Sequence, residues 1–138
     1  MTDSSESAHV VVVAHAPLAS ALLACAAHVF PDAPGFVHAL DIPADEPPEA
    51  SVARAQALQA TVEMQRCLVL TDVWGATPGN VALRWAQGQG WPVLAGVNLP
   101  MLLRSIAYRH ETGGQWVQRA VDGARNGIVT SLEASSAP

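Results

Sequence analysis

Positive charge is scarce in this chain: seven basic residues in 138, none of them clustered, stand against twelve acidic ones for a formal charge of −5. A surface so poor in cations has no electrostatic footprint for nucleic acid or for an anionic membrane. Long apolar runs are missing too. None reaches the roughly 18 residues of a spanning helix, and the opening residues Met1-Thr-Asp-Ser-Ser-Glu-Ser7 lack the positive charge that begins a signal peptide. The expectation is a cytoplasmic protein, without direct membrane insertion, whose partners are proteins or small molecules. Cysteine is limited to Cys25 and Cys67, far apart and each inside an apolar segment. Such residues read as small buried hydrophobes, not as a disulfide or a metal pair. No G-x-G-x-x-G follows the first apolar strand, which argues against a nucleotide or flavin site.

What the chain does contain is enough apolar material, half of its residues, for a single core. Residues 1–8 and 131–138 are polar tails, leaving one domain over 9–130. Within it, a valine-rich strand at 9–14 is followed by helical spacing over 17–30, through Leu18, Leu22, Ala26 and Val29. A second strand at 35–42 runs into the acidic, proline-rich loop 43–49. Ser51 is expected to cap a helix reaching Met64, and a third strand covers 67–71. Helices at 77–87, 100–111 and 115–124 and a strand at 92–97 complete the alternation, with a short terminal strand expected at 127–132. Alternating units of this kind imply a doubly wound, mainly parallel α/β sheet with helices on both faces.

In such sheets the working residues gather beyond the carboxyl ends of the strands, where the strand order reverses. His15, Asp72 and Asn98 all end strands. A flavodoxin-like order brings the first and third strands together, which makes His15 and Asp72 neighbours across 57 positions of sequence. The acid follows an apolar strand and precedes a helix start, in Leu68-Val-Leu-Thr-Asp-Val-Trp-Gly-Ala-Thr-Pro-Gly-Asn80. Thr77 is read as N-cap and Pro78 as the first helical residue. A carboxylate holding one imidazole N–H fixes the tautomer and turns the other nitrogen's lone pair outward as a nucleophile. The unpaired amides of a helix start attract the anion that such a nucleophile would receive, and the helix beginning near Pro17 is expected to supply a second such start.

Three segments, Val11-Val-Val-Ala-His-Ala-Pro-Leu-Ala-Ser-Ala-Leu-Leu23, Asp72-Val-Trp-Gly-Ala-Thr-Pro-Gly-Asn80 and Gly96-Val-Asn-Leu-Pro-Met-Leu102, resemble the mannose-type enzyme IIA domains of the bacterial phosphotransferase system. The resemblance covers roughly residues 9–128. It implies a phosphocarrier in which His15 accepts a phosphoryl group from the carrier protein HPr and passes it to a IIB protein. It further implies Asp72 as the orienting partner, phosphate contacts at Ala16, Thr77, Pro78, Gly79 and Asn80, and a surrounding wall of Trp74, Gly75, Asn98 and Leu99. The family is typically a homodimer whose terminal strand can cross over. No metal or organic cofactor is implied. Two positions depart from the family's pattern: Ala16 replaces the glycine that usually follows the histidine, which would strain a turn of positive φ, and Gly79 takes a place where a polar side chain is common.

The same residues have plainer readings. His9, His28, His38 and His110 have no strand-end acid and read as structural. Leu99 and Met101 read as packing or dimer residues, and Trp85, Trp91 and Trp116 as core or interface residues. Trp74 either covers the site or meets a partner. A regulatory module, whose binding to a partner depends on phosphorylation of His15 without sugar transport, would use the same chemistry. A receiver domain phosphorylated on Asp72 is disfavoured, because the first strand ends without the acids that would hold Mg²⁺.

Overall fold

The computed structural model of the protein describes residues 8–132. Eight residues, Ala8–His15, form β1, and its run of four valines is explained by burial on both sides. Val10, Val12 and Ala14 point to one face of the sheet, Val11 and Val13 to the other. The chain continues through α1 (Leu18–Val29), a short 3-10 turn (Ala33–Gly35), β2 (Val37–Ile42), α2 (Pro48–Thr61), β3 (Arg66–Thr71) and α3 (Thr77–Gln87). It closes with β4 (Val93–Ala95), α4 (Leu99–Ala107) and α5 (Gly113–Asn126).

All strand pairs are parallel, and the order is β2-β1-β3-β4. Strands one and three therefore lie side by side at the centre, with Val13 of β1 opposite Thr71 of β3. Both strands run out at the same end of the sheet, Asp72 one residue beyond this pair and His15 two, so the two side chains meet there. α1, α4 and α5 cover one face through Ala19, Leu22, Ala26, Met101, Leu102, Ile106, Trp116 and Ala120. α2 and α3 cover the other through Val52, Ala55, Val81, Ala82 and Trp85. Each fully buried valine or leucine contributes on the order of 1.5–3 kcal/mol, so this two-sided core is what fixes the strand ends in place.

Several boundaries differ from the sequence reading, for identifiable reasons. Ala8 belongs to β1 and is fully buried, so the tail is shorter than residues 1–8; the rest of that tail and residues 133–138 lie outside the described residues. α2 begins at Pro48, after Pro47 in an extended conformation, and not at Ser51. Proline at the first helical turn sets φ and loses no needed donor, so Pro47-Pro48-Glu49 is a helix start inside what read as loop. Ser51 is buried in the second turn, where its hydroxyl donates to Glu46 Oε1 at 2.5 Å. Residues 127–132 contain no strand: the segment leaves α5 as turn and irregular chain. Cys25 is exposed, against expectation, because it falls on the outer side of α1, whereas Cys67 is buried and its thiol is pushed up to about 12 by burial.

Candidate functional site

His15 is the last residue of β1, and its side chain is 51% exposed. The Asp72 side chain, only 10% exposed, lies directly against it, with Oδ2 2.6 Å from His15 Nδ1. The same oxygen accepts the His15 main-chain N–H at 3.0 Å, and Oδ1 accepts the Val73 N–H at 2.9 Å. The acid's own carbonyl accepts the Gly96 N–H at 3.0 Å, and the preceding carbonyl of Thr71 accepts that of Val97 at 3.0 Å. Asp72 is thus held by β1, by its own loop and by the segment after β4.

Burial alone would raise the Asp72 carboxyl. The hydrogen bonds from the His15 ring, the His15 N–H and the Val73 N–H, with the charge of His15, outweigh it and hold the group below the ordinary carboxylate value. An ionised carboxylate only accepts, so the proton between the two side chains sits on Nδ1. In the neutral ring Nε2 then carries a lone pair and faces outward. Such a pair can take up an electrophile at Nε2 while the carboxylate offsets the positive charge that develops on the ring.

The α3 start beyond Asp72 is built differently from expectation. Its N-cap is Ala76, in an extended conformation, and Thr77 and Pro78 occupy the first two helical positions. Thr77 cannot cap with its side chain because it already has helical backbone geometry. Pro78 has no N–H, and the Asn80 N–H is bonded to the Ala76 carbonyl at 3.0 Å. Only Thr77 and Gly79 keep amides without an intrahelical acceptor, and of these two residues only Thr77 is exposed. Asn80 turns its amide back toward the Gly75 carbonyl at 3.4 Å. Gly79 has a packing reason: a Cβ there would stand 2.9 Å from the Val73 carbonyl oxygen.

The second helix start is already occupied. Asp41, near the end of β2, accepts the Ser20 amide at 3.0 Å and also the Ser20 hydroxyl, placing a carboxylate on the first turn of α1. An acid at a strand end followed the same rule that selected Asp72, and Ser20 in the first turn of the helix was the matching signal. Arg54 fixes this corner by donating to the Asp41 carbonyl and to Glu46 Oε1, each at 2.9 Å. Ala16 closes the turn by donating its N–H to Ile42 O at 3.0 Å. No non-glycine residue among those described has positive φ, so alanine at position 16 carries no left-handed strain. Positive φ belongs instead to glycines: Gly75, at +89°, in the loop after Asp72, Gly90, at +72°, before β4, and Gly96, at +86°, just after β4.

The expected wall residues divide. Trp74 is 67% exposed and leaves the site uncovered. Asn98 spends its side chain on the scaffold, accepting the Met101 N–H at 2.9 Å as the cap of α4 and donating to the Ala124 carbonyl at 3.2 Å. Leu99 packs against the core beneath α4. His9 and His38 form a stacked, hydrogen-bonded pair, Nδ1 to Nε2 at 3.0 Å, toward the opposite end of the strands. Among the described residues no group of three or more His, Cys, Asp or Glu side chains could hold a metal ion, and no helix is long and apolar enough to cross a membrane.

The family described as EIIA-man, PTS system fructose IIA component, matches residues 9–121. A phosphotransferase system component EIIA from Streptococcus agalactiae is similar in structure with a TM-score of 0.80 and 25% identity, over 92% of this chain and 99% of that one. The mannose/sorbose specific IIA subunit from Enterococcus faecalis superimposes with a TM-score of 0.78 at 20% identity, over 88% and 92% of the two chains. A PTS IIA protein associated with the fucose utilization operon from Streptococcus pneumoniae does so with 0.76 at 22%, over 91% and 94%. No curated protein matches the chain.

Proposed function

From the chain's membership of the PTS fructose- and mannose-type IIA family, we propose that it is a cytoplasmic phosphohistidine carrier, taking phosphoryl from HPr on His15 and passing it to a IIB protein. The observation that carries this reading is the 2.6 Å contact between His15 Nδ1 and Asp72, which leaves Nε2 as the one ring nitrogen free to react. In the step, the Nε2 lone pair attacks the phosphorus of the donor's phosphohistidine, and the donor's P–N bond breaks as the new one forms. The His15 ring keeps its Nδ1 proton and becomes cationic, and Asp72 offsets that charge. In this reading the Thr77 amide, which has no intrahelical acceptor at the start of α3, stabilises the developing phosphoryl oxygens. Transfer to the IIB protein is the same exchange in the forward direction, and no metal or organic cofactor enters it.

The protein acts as a homodimer in this reading. Support comes from β4, a half-buried edge strand of three residues, and from the groove of about 310 Å³ beside it, lined by Leu94, Met101, Val121 and Ile128. Ile128, Val129 and Leu132 stand exposed just past α5. They supply the apolar segment that a neighbouring copy's β4 edge would take up, which also explains why the terminal segment has no strand partner within one chain.

Incubation with phosphoenolpyruvate, enzyme I and HPr, followed by intact-mass measurement, tests the carrier. One acid-labile phosphoryl group on the wild type and none on His15→Ala is the expected result. No modification of the wild type, under conditions that phosphorylate another IIA protein, would overturn it.

A further inference from the structure

The hydroxyl of Thr71 is buried and unpaired. Thr71 is the last residue of β3, set between Val13 of β1 and Ala95 of β4, and it is fully buried. The alternation of the strand points its side chain, with those of Cys67 and Val69, at the face that α3 covers. Among the described residues its Oγ1 is the one buried side-chain nitrogen or oxygen without a hydrogen-bond partner. A hydroxyl taken out of water and left unpaired costs stability, and a valine would fill the same space without that cost.

Above it lies the first turn of α3. A Cβ on Gly79 would stand 3.7 Å from Thr71 Oγ1, 3.6 Å from its Cγ2 and 2.9 Å from the Val73 carbonyl oxygen, so the three residues meet at one point. The Gly79 N–H is a donor without an intrahelical acceptor, on a buried residue, and the Val73 carbonyl is bonded to the Ala76 N–H at 3.3 Å. The Asn80 side chain reaches the Gly75 carbonyl at 3.4 Å. Both bonds are long against the usual value of about 2.9–3.0 Å, whereas those that hold Asp72 run from 2.6 to 3.0 Å. The turn is loosely tied above a strand end that is firmly held, and Gly75, at a φ of +89°, gives it a pivot. A hydroxyl both donates and accepts, and here it stands beside one spare donor and one weakly bonded carbonyl.

We propose that Thr71 is a positioning residue for the phosphorylated state: when His15 carries the phosphoryl group, the first turn of α3 settles onto the end of β3, and the Thr71 hydroxyl accepts the Gly79 N–H and donates to the Val73 carbonyl. The proposal rests on the carrier reading above. The phosphoryl group adds negative charge near the positive end of α3 and draws that turn toward the strand ends. The cost of the unpaired hydroxyl is then borne by the unphosphorylated form alone and favours the phosphorylated one. Being fully buried, Thr71 acts through this turn without touching the transferred group.

The test is the phosphoryl-exchange equilibrium with phospho-HPr, read by intact mass at neutral pH and equal concentrations of the two proteins, for wild type, Thr71→Val and Thr71→Ser. The expected result is an exchange constant about five- to tenfold less favourable to the phosphorylated protein in Thr71→Val, most of it regained in Thr71→Ser, with the Tm of unphosphorylated Thr71→Val equal to or above that of wild type. A hydroxyl with a purely structural role acts alike on both forms, so an exchange constant within twofold of wild type in Thr71→Val overturns the proposal and leaves the carrier reading intact. Should Thr71→Val not fold, amide hydrogen exchange in the wild type decides: slower exchange at Gly79 on phosphorylation is expected, and an unchanged rate overturns the pairing. A wild type that accepts nothing from phospho-HPr removes the carrier reading, and this proposal with it.

Discussion

Replacing Asp72 by Ala removes the acceptor of three N–H groups at once: the His15 ring at 2.6 Å, the His15 main chain at 3.0 Å and the Val73 main chain at 2.9 Å. Only the ring contact bears on transfer. Without it, both neutral tautomers of His15 become available and the positive charge formed during reaction loses its counter-charge. A hydrogen bond to a charged group contributes about 1.5–3 kcal/mol, and 1.36 kcal/mol is a factor of ten in rate, so phosphoryl transfer should slow by about 10- to 100-fold. Asp72→Asn, which keeps an acceptor but loses the charge, should fall between. The two freed amides sit at the mouth of the crevice, where water can replace the carboxylate, so stability should fall by about 1 kcal/mol or less, a few degrees in Tm. Because the native carboxyl is held below its ordinary value, its contribution is complete above about pH 4 and is lost as pH falls through the lower native value. The Tm gap between wild type and Asp72→Ala should close over that range. Rapid-quench transfer from phospho-HPr measures the rate; Asp72→Ala within threefold of wild type would refute the orienting role.

Other consequences follow from single contacts. Gly79→Ala would drive a methyl group to 2.9 Å from the Val73 carbonyl and should cost about 1–3 kcal/mol, less the gain in helix propensity; an unchanged or higher Tm would contradict the close approach. Asn98→Ala removes the cap of α4 and should cost about 1 kcal/mol in thermal or urea unfolding. His9 is held below the ordinary histidine value by burial and by the charge of Arg109, and His38 by burial and by His9. Folding therefore favours their neutral forms, giving stability that is full above about pH 6.5 and lost as pH falls below it. A Tm that declines from pH 7 to pH 5 in wild type, and less steeply in His38→Gln, is expected, whereas parallel profiles would exclude the pair as the cause. If the proposed homodimer forms through residues 127–132, ending the chain at Asn126 should give a monomer in sedimentation experiments where the full chain is a dimer, and a dimer from both chains would place the interface elsewhere.

The pairing of His15 with Asp72 was legible because two strong signals coincided: apolar strands too uniform for anything but a two-sided sheet, and a polar residue at the end of each. The helix starts were harder to read, since capping was assigned by residue type. Ala76 and Pro47 are N-caps by backbone conformation alone, and their side chains contribute no bond. Thr77 and Ser51, the better capping types, are displaced into the helices that follow. Asp41 obeys the same strand-end rule as Asp72, but it ends the edge-side strand β2, away from the β1–β3 switch point on which the sequence reading concentrates, and the fold sets it on Ser20. The segment 127–132 has the composition of a strand, but a strand needs an edge to pair with, and a single chain's sequence does not say whose edge that is.

The claim on which the rest depends is that phosphoryl is carried on Nε2 of His15 while Nδ1 stays with Asp72. Phosphorylating protein labelled with ¹⁵N-histidine and recording long-range ¹H–¹⁵N correlations of the ring reads the modified nitrogen directly. The account predicts phosphorylation at Nε2 of His15 with a protonated Nδ1; a phosphoryl group on Nδ1, or on any other residue, would contradict it.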